Sequence, residues 1–413
     1  MNRSSNGKDI FIFLAGLNFW EGLFDNCNIK FISNLFEYSV ADFSQMLMTI
    51  ITPKQLSNDE YKILIKKEGQ IKMLALDHGL DIEFYHIEKR TIRSMLRASK
   101  EIRKKTVLYA KRFIWASNYF NCFLGILLKK QLPDTYLHFE MMGLAPEEEL
   151  FYSKSNIVFR IAKFLLLRIL GRIDLKKADS VSVVSKRFKD YVISKYHLNP
   201  DLVDVIPCFY DNKVFFQNSE LRRQFRLKYL INDHQKLMLY CGMLQKWQMP
   251  DLLFAFFKKI QMQDKSHEFR FMILTFDQQK AQYYAKKYGI IDLIIDSVSG
   301  NDLNGAYNAA DIGIATRTSD LVSKVSSPVK IPEYLATKNS LILLESIGDY
   351  GVELSHEKYA LVKKDKKDLL TTTLKEISSL EKPDDKDLIY ILEKFSIQGY
   401  VHVIKKIFKK SSK

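Results

Sequence analysis

Short apolar runs rich in β-branched and aromatic residues alternate with longer amphipathic stretches along nearly the whole chain. Runs of this kind occupy residues 9–15, 81–87, 106–110, 134–140 and 180–185. A second series begins near residue 203 and continues through 236–242, 269–276, 290–296, 311–316 and 339–345. Strands that alternate with helices predict parallel sheets with right-handed crossovers, and two such series predict two doubly wound, Rossmann-like α/β domains.

The length of the chain and a break in the pattern predict where the domains meet. The 413 residues are too many for one ordinary core and suit two domains of about 200 residues each. A proline and a turn residue interrupt the pattern at 207–211, "PCFYD". We therefore expect domains over 1–205 and 206–385, facing a ligand cleft, and a helical tail over 386–413. Periodicity leaves open whether this amphipathic tail crosses back onto the first domain or packs on its own.

Composition narrows the classes of partner. The net charge of +15, from 63 basic and 48 acidic residues, favours phosphorylated substrates, anionic lipid or nucleic acid. Nucleic acid is disfavoured because the sequence has no zinc-finger spacing and no RNA-binding aromatic motif. The four cysteines are far apart, which is typical of reduced thiols in the cytoplasm. No apolar run approaches the roughly 18 residues that span a bilayer, so we expect a cytoplasmic protein.

The segment 326–343, "SSPVKIPEYLATKNSLIL", resembles the donor-site element of GT-B glycosyltransferases, particularly the family 4 enzymes of bacterial polysaccharide synthesis. Further segments resemble this family in the same order along the chain: 138–152, 178–196, 203–215, 237–257 and 306–317. The resemblance covers roughly residues 105–405. It implies a GT-B fold whose C-terminal domain binds a nucleotide-sugar donor. The N-terminal domain would then recognise a glycan or polyprenyl-linked acceptor, in surface polysaccharide synthesis.

The chemistry of a nucleotide sugar explains the residue types in this segment. The resemblance assigns Glu333 to the ribose, whose two hydroxyls a carboxylate can accept in charge-assisted hydrogen bonds. A helix N-terminus offers N–H groups to a diphosphate, and Ser326, Ser327 and Val329 lie where those amides belong. Lys330 would add a point charge that stabilises the leaving diphosphate. The alternative is a capped helix start with a solvent-exposed Lys–Glu pair.

The remaining donor residues come from two other segments of the resemblance. Gly242 ends a strand and opens the donor-domain loop, in which Lys246 is the nearby basic residue. Arg317, at the end of "DIGIATR", places a positive charge opposite the diphosphate. With this charge met by protein groups, we expect no metal and no other cofactor. The closely spaced aspartates at 365–368 and 384–387 read as acids of loops and helix starts.

Glu140 is the candidate general base of the N-terminal domain. It ends the strand 134–140, where the family often places a His or Asp that faces the sugar, and His138 lies on the same strand face. The alternative is a carboxylate at the rim that forms a salt bridge with Lys111 or Arg112.

Two positions depart from the family pattern. Val325 stands where a second glutamate is usual, and Met243 stands where the loop usually has an arginine. These departures favour a rival hypothesis, a non-catalytic subunit that binds nucleotide sugars or glycans. A nucleotide-sugar epimerase of the same fold is a second rival, although the acids and histidines that it would need are not identifiable.

The segment 156–173 is strongly apolar and carries Arg160, Lys163, Arg168 and Arg172 at near-helical spacing. One interpretation is a core helix with a solvated basic face. The other is peripheral attachment to an anionic membrane at its inner face, which would suit lipid-linked acceptors.

Overall fold

The computed structural model describes residues 8–19, 28–38, 43–298 and 301–410. These residues form two compact units, each built around one parallel β-sheet. The first unit comprises Met1–Val184, Lys189–Ile206 and Tyr400–Lys413, and the second comprises Ser185–Phe188 and Pro207–Gly399. The predicted pair of Rossmann-like domains is therefore confirmed.

The first unit has seven strands and eight helices among its described residues. The strands are β1 (Ile10–Asn18), β2 (Gln45–Ile51), β3 (Asp81–Ile87), β4 (Arg112–Ser117), β5 (Thr135–Met141), β6 (Ser180–Val183) and β7 (Val203–Val205). The helices are α1 (Lys30–Glu37), α2 (Asn58–Asp77), α3 (Ile92–Thr106), α4 (Tyr119–Gln131), α5 (Ala145–Tyr152), α6 (Ile157–Lys177) and α7 (Lys186–Tyr196), and the first three residues of α7 belong to the second unit. The eighth is the last helix of the chain, described below. The strand order is β3-β2-β1-β4-β5-β6-β7.

Burial explains why the central strands are apolar along their whole length. In β4 every residue is buried, and β1 pairs with both β2 and β4. A parallel strand covered by helices on both faces has no solvent-facing side, so it lacks the alternation of an exposed strand. Side-chain caps mark the start of several helices, such as α2. Ser57 Oγ accepts from the backbone N–H of Glu60 at 3.2 Å, and the Glu60 carboxylate accepts from the Ser57 N–H at 2.8 Å.

The second unit has six strands: β8 (Lys236–Cys241), β9 (Phe269–Leu274), β10 (Leu293–Asp296), β11 (Ile312–Ala315), β12 (Ser340–Leu344) and β13 (Ala360–Lys363). Its helices are α8 (Ser219–Lys228), α9 (Pro250–Gln263), α10 (Gln278–Tyr288), α11 (Asn301–Ala309), α12 (Leu321–Lys324), α13 (Lys330–Ala336), α14 (Tyr350–Glu353), α15 (Lys366–Thr371), α16 (Leu374–Ser378) and α17 (Asp385–Phe395). The strand order is β10-β9-β8-β11-β12-β13. Along the chain, strands β8 to β10 extend the sheet toward one edge and strands β11 to β13 extend it toward the other, so the topological switch point lies between β8 and β11. Ligands of open parallel sheets bind at such a switch point, beyond the carboxyl ends of the strands.

The C-terminal segment divides between the units. Helix α17 belongs to the second unit, whereas α18 (Val401–Lys410) belongs to the first. The ring of Phe408 in α18 stacks on Phe113 of β4 at 4.2 Å between centroids, and Lys406 Nζ lies 2.8 Å from Asp204 Oδ1. The predicted tail over 386–413 is thus two separate helices, and its last three residues lie outside the described part of the chain.

Two details of the strand prediction are wrong. Residues 106–110 are not a strand, because α3 continues to Thr106 and the buried run that follows, Arg112–Ser117, forms β4 instead. Val107 and Leu108 are exposed, so the apolar side chains in this run do not mark a buried strand. The prediction also missed β2 and β13. No helix in the described ranges is long and apolar enough to cross a membrane.

Candidate functional site

The residues predicted to bind a donor converge at the switch point of the second unit. Gly242 directly follows β8, and Arg317 lies two residues beyond β11. Strands β8 and β11 are neighbours in the sheet, with Met238 opposite Ile312, so their carboxyl ends meet at one edge. Helix α13 adds Lys330 and Glu333 from its first turn.

Lys330 carries a buried ammonium group that has no hydrogen-bond partner among the described residues. Its Nζ lies 4.3 Å from the centroid of the ring of Tyr240, the penultimate residue of β8, and forms a cation–π contact with that ring. Gly242 leaves the room for this contact. A Cβ at that position would lie 3.0 Å from Lys330 Nζ, and its φ of +136° favours glycine.

The pKa of Lys330 is lowered to about 8, mainly by burial and in part by the positive charge of Arg317. The thiol of Cys241 and the carboxylate of Glu333 act in the opposite direction. A buried cation without a hydrogen bond is costly, since desolvation is not offset by a partner. An anion bound beside Lys330 and Arg317 would supply that partner. The site is therefore suited to a phosphate or diphosphate.

Glu333 is held by a residue that the sequence did not single out. Its Oε2 accepts a hydrogen bond of 2.8 Å from the hydroxyl of Tyr307 in α11. The Tyr307 ring stacks on Tyr334 at 4.8 Å between centroids. Tyr334 itself packs across Gly313 of β11, where a Cβ would lie 2.3 Å from the ring. Tyr307 falls within the family-like segment 306–317, but no feature of a tyrosine in a helix indicates a carboxylate partner.

The two basic loops are joined through their backbones. The N–H of Thr318 donates to the carbonyl of Trp247 at 2.9 Å, and Thr316 Oγ1 donates to the carbonyl of Gln248 at 2.6 Å. These bonds place the short helical turn that carries Lys246 beside the loop that carries Arg317. Lys246 is exposed, and within the described ranges its ammonium forms no ion pair. The structure therefore brings Lys330 and Arg317 together, whereas Lys246 lies exposed on the neighbouring turn.

The serines ahead of α13 have structural hydrogen bonds. Ser326 Oγ donates to the carbonyl of Ser323 at 2.7 Å, and the buried Ser327 Oγ accepts from the N–H of Cys208 at 3.3 Å. Val329 occupies the N-cap position of α13 and makes no side-chain cap. These residues hold the loop that delivers Lys330. The predicted role for the Ser326 amide is wrong, because its N–H donates to the carbonyl of Ser323 at 3.2 Å. A role toward a ligand falls to the backbone amides of Ser327 and Val329.

Glu140 lies in the first unit, at the carboxyl end of β5. Its Oε2 accepts from Trp115 Nε1 at 3.2 Å and from the hydroxyl of Ser117. Burial raises the pKa of Glu140, while both hydrogen bonds lower it. The alternative of a salt bridge between Glu140 and Arg112 is wrong. Arg112 begins β4, at the opposite end of the sheet from Glu140, and its guanidinium donates to backbone carbonyls such as that of Thr106, at 2.9 Å.

His138 is a structural residue of the first unit. It is fully buried between Ser180 Oγ at 2.8 Å and Ser182 Oγ at 2.9 Å, and its ring lies 4.1 Å from that of Trp115. Burial lowers its pKa to about 3, so the imidazole is neutral at physiological pH. Within the described ranges no cluster of three or more His, Cys, Asp or Glu side chains could hold a metal ion.

No protein-family model matches this sequence, and no curated protein sequence matches it. Solved structures do. HepE from Anabaena in complex with UDP-glucose is 12% identical with a TM-score of 0.68, covering 97% of this chain and 99% of that one. A glycosyltransferase from Rickettsia africae is 14% identical with a TM-score of 0.68, covering 99% of both chains. The α,α-trehalose 6-phosphate synthase of Burkholderia multivorans is 10% identical with a TM-score of 0.61, covering 98% and 99%.

The chain shares its fold with these proteins. This likeness extends over nearly the full length of each structure, and it confirms the predicted GT-B fold class.

Proposed function

We propose that this chain is a glycosyltransferase that moves a sugar from a nucleotide-sugar donor to a glycan or lipid-linked glycan. The observation that carries the proposal is the buried ammonium of Lys330, which has no hydrogen-bond partner in the described part of the chain and lies near Arg317 at the switch point of the sheet. A nucleotide sugar presents the diphosphate that would fill this position. The shared fold with a protein solved with UDP-glucose supports the same class of donor.

In this proposal the donor would be held at its diphosphate and at its ribose. Lys330 and Arg317 would bind the diphosphate, with Lys246 and the amides of Ser327 and Val329 completing its shell. Glu333 would accept the ribose hydroxyls, and Tyr307 would fix the carboxylate through Oε2. Charge that develops on the leaving diphosphate is then met by protein cations, so the transfer needs no metal ion.

Glu140 would act on the acceptor. Burial raises its pKa, which makes the carboxylate a better proton acceptor for a sugar hydroxyl. The bonds from Trp115 and Ser117 would keep it oriented. We further propose family 4 membership, a role in bacterial surface polysaccharide synthesis, and a cytoplasmic site of action at the inner face of the membrane, on the strength of the sequence resemblance.

The experiment that tests this proposal measures nucleotide binding and release. Calorimetry with UDP and GDP should show that Glu333→Ala weakens binding by about 1.5–3 kcal/mol, the range for hydrogen bonds to charged groups. Lys324→Ala is the matched control, since this lysine is exposed six residues before Lys330. Unchanged affinity in Glu333→Ala, with the fold intact, would refute the donor site.

A non-catalytic binding subunit is the second candidate, and one observation favours it. Val325, at the position of the usual second glutamate, is buried and so offers no group to a sugar. A panel of UDP-, GDP- and dTDP-sugars separates the two candidates. Nucleotide release that depends on acceptor indicates a transferase, whereas binding without release from any donor indicates the subunit.

A further inference from the structure

One face of helix α6 exposes a stripe of apolar side chains to solvent. Val158, Ile161, Leu165, Ile169 and Ile173 recur every three or four residues, which places them on one face of the helix. All five are exposed, Val158 at 75% and Ile169 at 60%. We call these five residues the α6 stripe. At 1.5 Å per residue it extends about 22 Å along the helix.

The basic residues of α6 do not form the outward face. Lys163 Nζ lies 2.5 Å from Glu149 Oε2, and an Arg168 nitrogen lies 3.1 Å from Glu147 Oε1. Both glutamates belong to α5, so these cations join two helices of the same unit. Helix α6 packs on the core through Leu167, Leu170 and Leu175, as one interpretation expected, but its predicted solvated basic face is wrong. The face presented to solvent is apolar and becomes basic in the last two turns, at Arg172 and Lys176.

A second helix of the first unit supplies unpaired positive charge. Helix α3 exposes Arg93, Arg97, Lys100 and Arg103, and none of the four takes part in an ion pair within the described ranges. We call these four residues the α3 ridge. Helix α4 lies between α3 and α6 and packs against both, and most of its side chains are buried or half-buried. The ridge and the stripe therefore flank one helix in the same layer.

We propose that the α6 stripe and the α3 ridge together dock the first unit on the surface of an anionic lipid bilayer. Apolar side chains at the edge of an interfacial helix enter the boundary between headgroups and acyl chains, and nearby cations attract anionic headgroups. A second copy of this chain is a poorer occupant. The chain carries a net charge of +15, and a self-complementary contact would bring one ridge toward another.

The inference rests on the proposed function only for its purpose, which is to bring lipid-linked acceptors within reach. Its physical basis lies in the first unit and involves none of the donor residues. The test therefore uses vesicles and no catalysis, so a failed donor site and a failed docking surface give different results.

Flotation of the full chain with vesicles is the test. We expect association with phosphatidylcholine vesicles that contain about 30% phosphatidylglycerol, weaker association with phosphatidylcholine alone, and release as salt is raised. The double variant Leu165→Glu with Ile169→Glu should lower the bound fraction at least about tenfold, since it places carboxylates in the stripe. The double variant Arg97→Gln with Lys100→Gln should lower binding to the vesicles that contain phosphatidylglycerol and leave binding to phosphatidylcholine vesicles unchanged.

The matched control is Met73→Glu with Leu76→Glu in α2, a pair of apolar residues that are 69% and 75% exposed. It should leave vesicle binding unchanged, and every variant should keep the nucleotide affinity of the parent protein. Absence of association at low ionic strength would overturn the proposal, as would equal loss in the α2 control. Self-association that the stripe variant abolishes, without vesicle binding, would assign the stripe to a second copy and also overturn it.

Discussion

The hydroxyl of Tyr307 donates a 2.8 Å hydrogen bond to Oε2 of Glu333, and this contact ties the carboxylate to the sheet. The Tyr307 ring stacks on Tyr334, whose hydroxyl accepts from the N–H of Cys241 and donates to the carbonyl of Leu239, each at 3.0 Å. Glu333 is therefore oriented by a chain of contacts that ends on the backbone of β8.

Tyr307→Phe should weaken nucleotide binding while the fold is kept. The variant removes one charge-assisted hydrogen bond to Glu333 and leaves the ring stacking in place, so we expect a loss of about 1.5 kcal/mol, close to tenfold in Kd. Calorimetry with UDP and GDP measures it. Tyr283→Phe, at an exposed position of α10, is the control and should bind as the parent does. Equal affinities in all three proteins would show that Tyr307 has only a packing role.

Binding of a nucleotide sugar should weaken as the pH rises above about 8. Burial lowers the pKa of Lys330 to about 8, so the ammonium that would bind the diphosphate is lost above that pH in the free protein. The diphosphate of a nucleotide sugar has no group that titrates there. Kd measured from about pH 7 to pH 9.5 should therefore rise in the parent protein and stay nearly constant in Lys330→Met. A parallel pH dependence in both proteins would assign the titration to another group.

Transfer should survive chelation of divalent metals. The diphosphate charge is met by Lys330, Arg317 and Lys246 in our proposal, so EDTA should leave the rate unchanged, whereas Lys330→Ala should lower it at least about tenfold, or 1.4 kcal/mol of barrier. The measurement is nucleotide release with acceptor present, before and after EDTA. Activity that EDTA abolishes and manganese restores would contradict this assignment of charge.

The first unit should lose stability as the pH rises, because of Asp174. This residue of α6 is fully buried beside the thiol of Cys122 in α4, and burial raises its pKa well above its usual range. The folded carboxyl stays protonated where the unfolded one, with a pKa of about 3.9, is ionised. The stability that Asp174 contributes is therefore complete when the pH is below the pKa of the unfolded carboxyl. It declines as the pH rises toward the pKa of the folded carboxyl.

Asp174→Asn should remove this dependence, since the amide cannot ionise. Urea unfolding at about pH 5 and pH 8 should show a stability gain for Asp174→Asn that is larger at the higher pH. Asp190→Asn, at an exposed aspartate of α7, should have the same small effect at both. A gain that does not change with pH would mean that Asp174 is ionised in the folded protein.

Much of the architecture follows from the sequence itself. Alternation of apolar runs with amphipathic stretches determined two parallel sheets, because side-chain periodicity and burial are local properties of a strand or helix. The break at 207–211 likewise contains Pro207, the residue at which the second unit resumes. The sequence also pointed to Gly242, Lys330 and Glu333, whose loops and helix follow neighbouring strands and therefore meet at one edge.

Tertiary structure decided the environments of those residues. The burial of Lys330 over Tyr240 and the bond from Tyr307 to Glu333 join positions that are 90 and 26 residues apart in the chain. The outward direction of the α6 stripe depends in the same way on which face α4 and α5 cover. Periodicity defines that a helix has two faces, but only the packing of neighbouring elements selects the one that is buried.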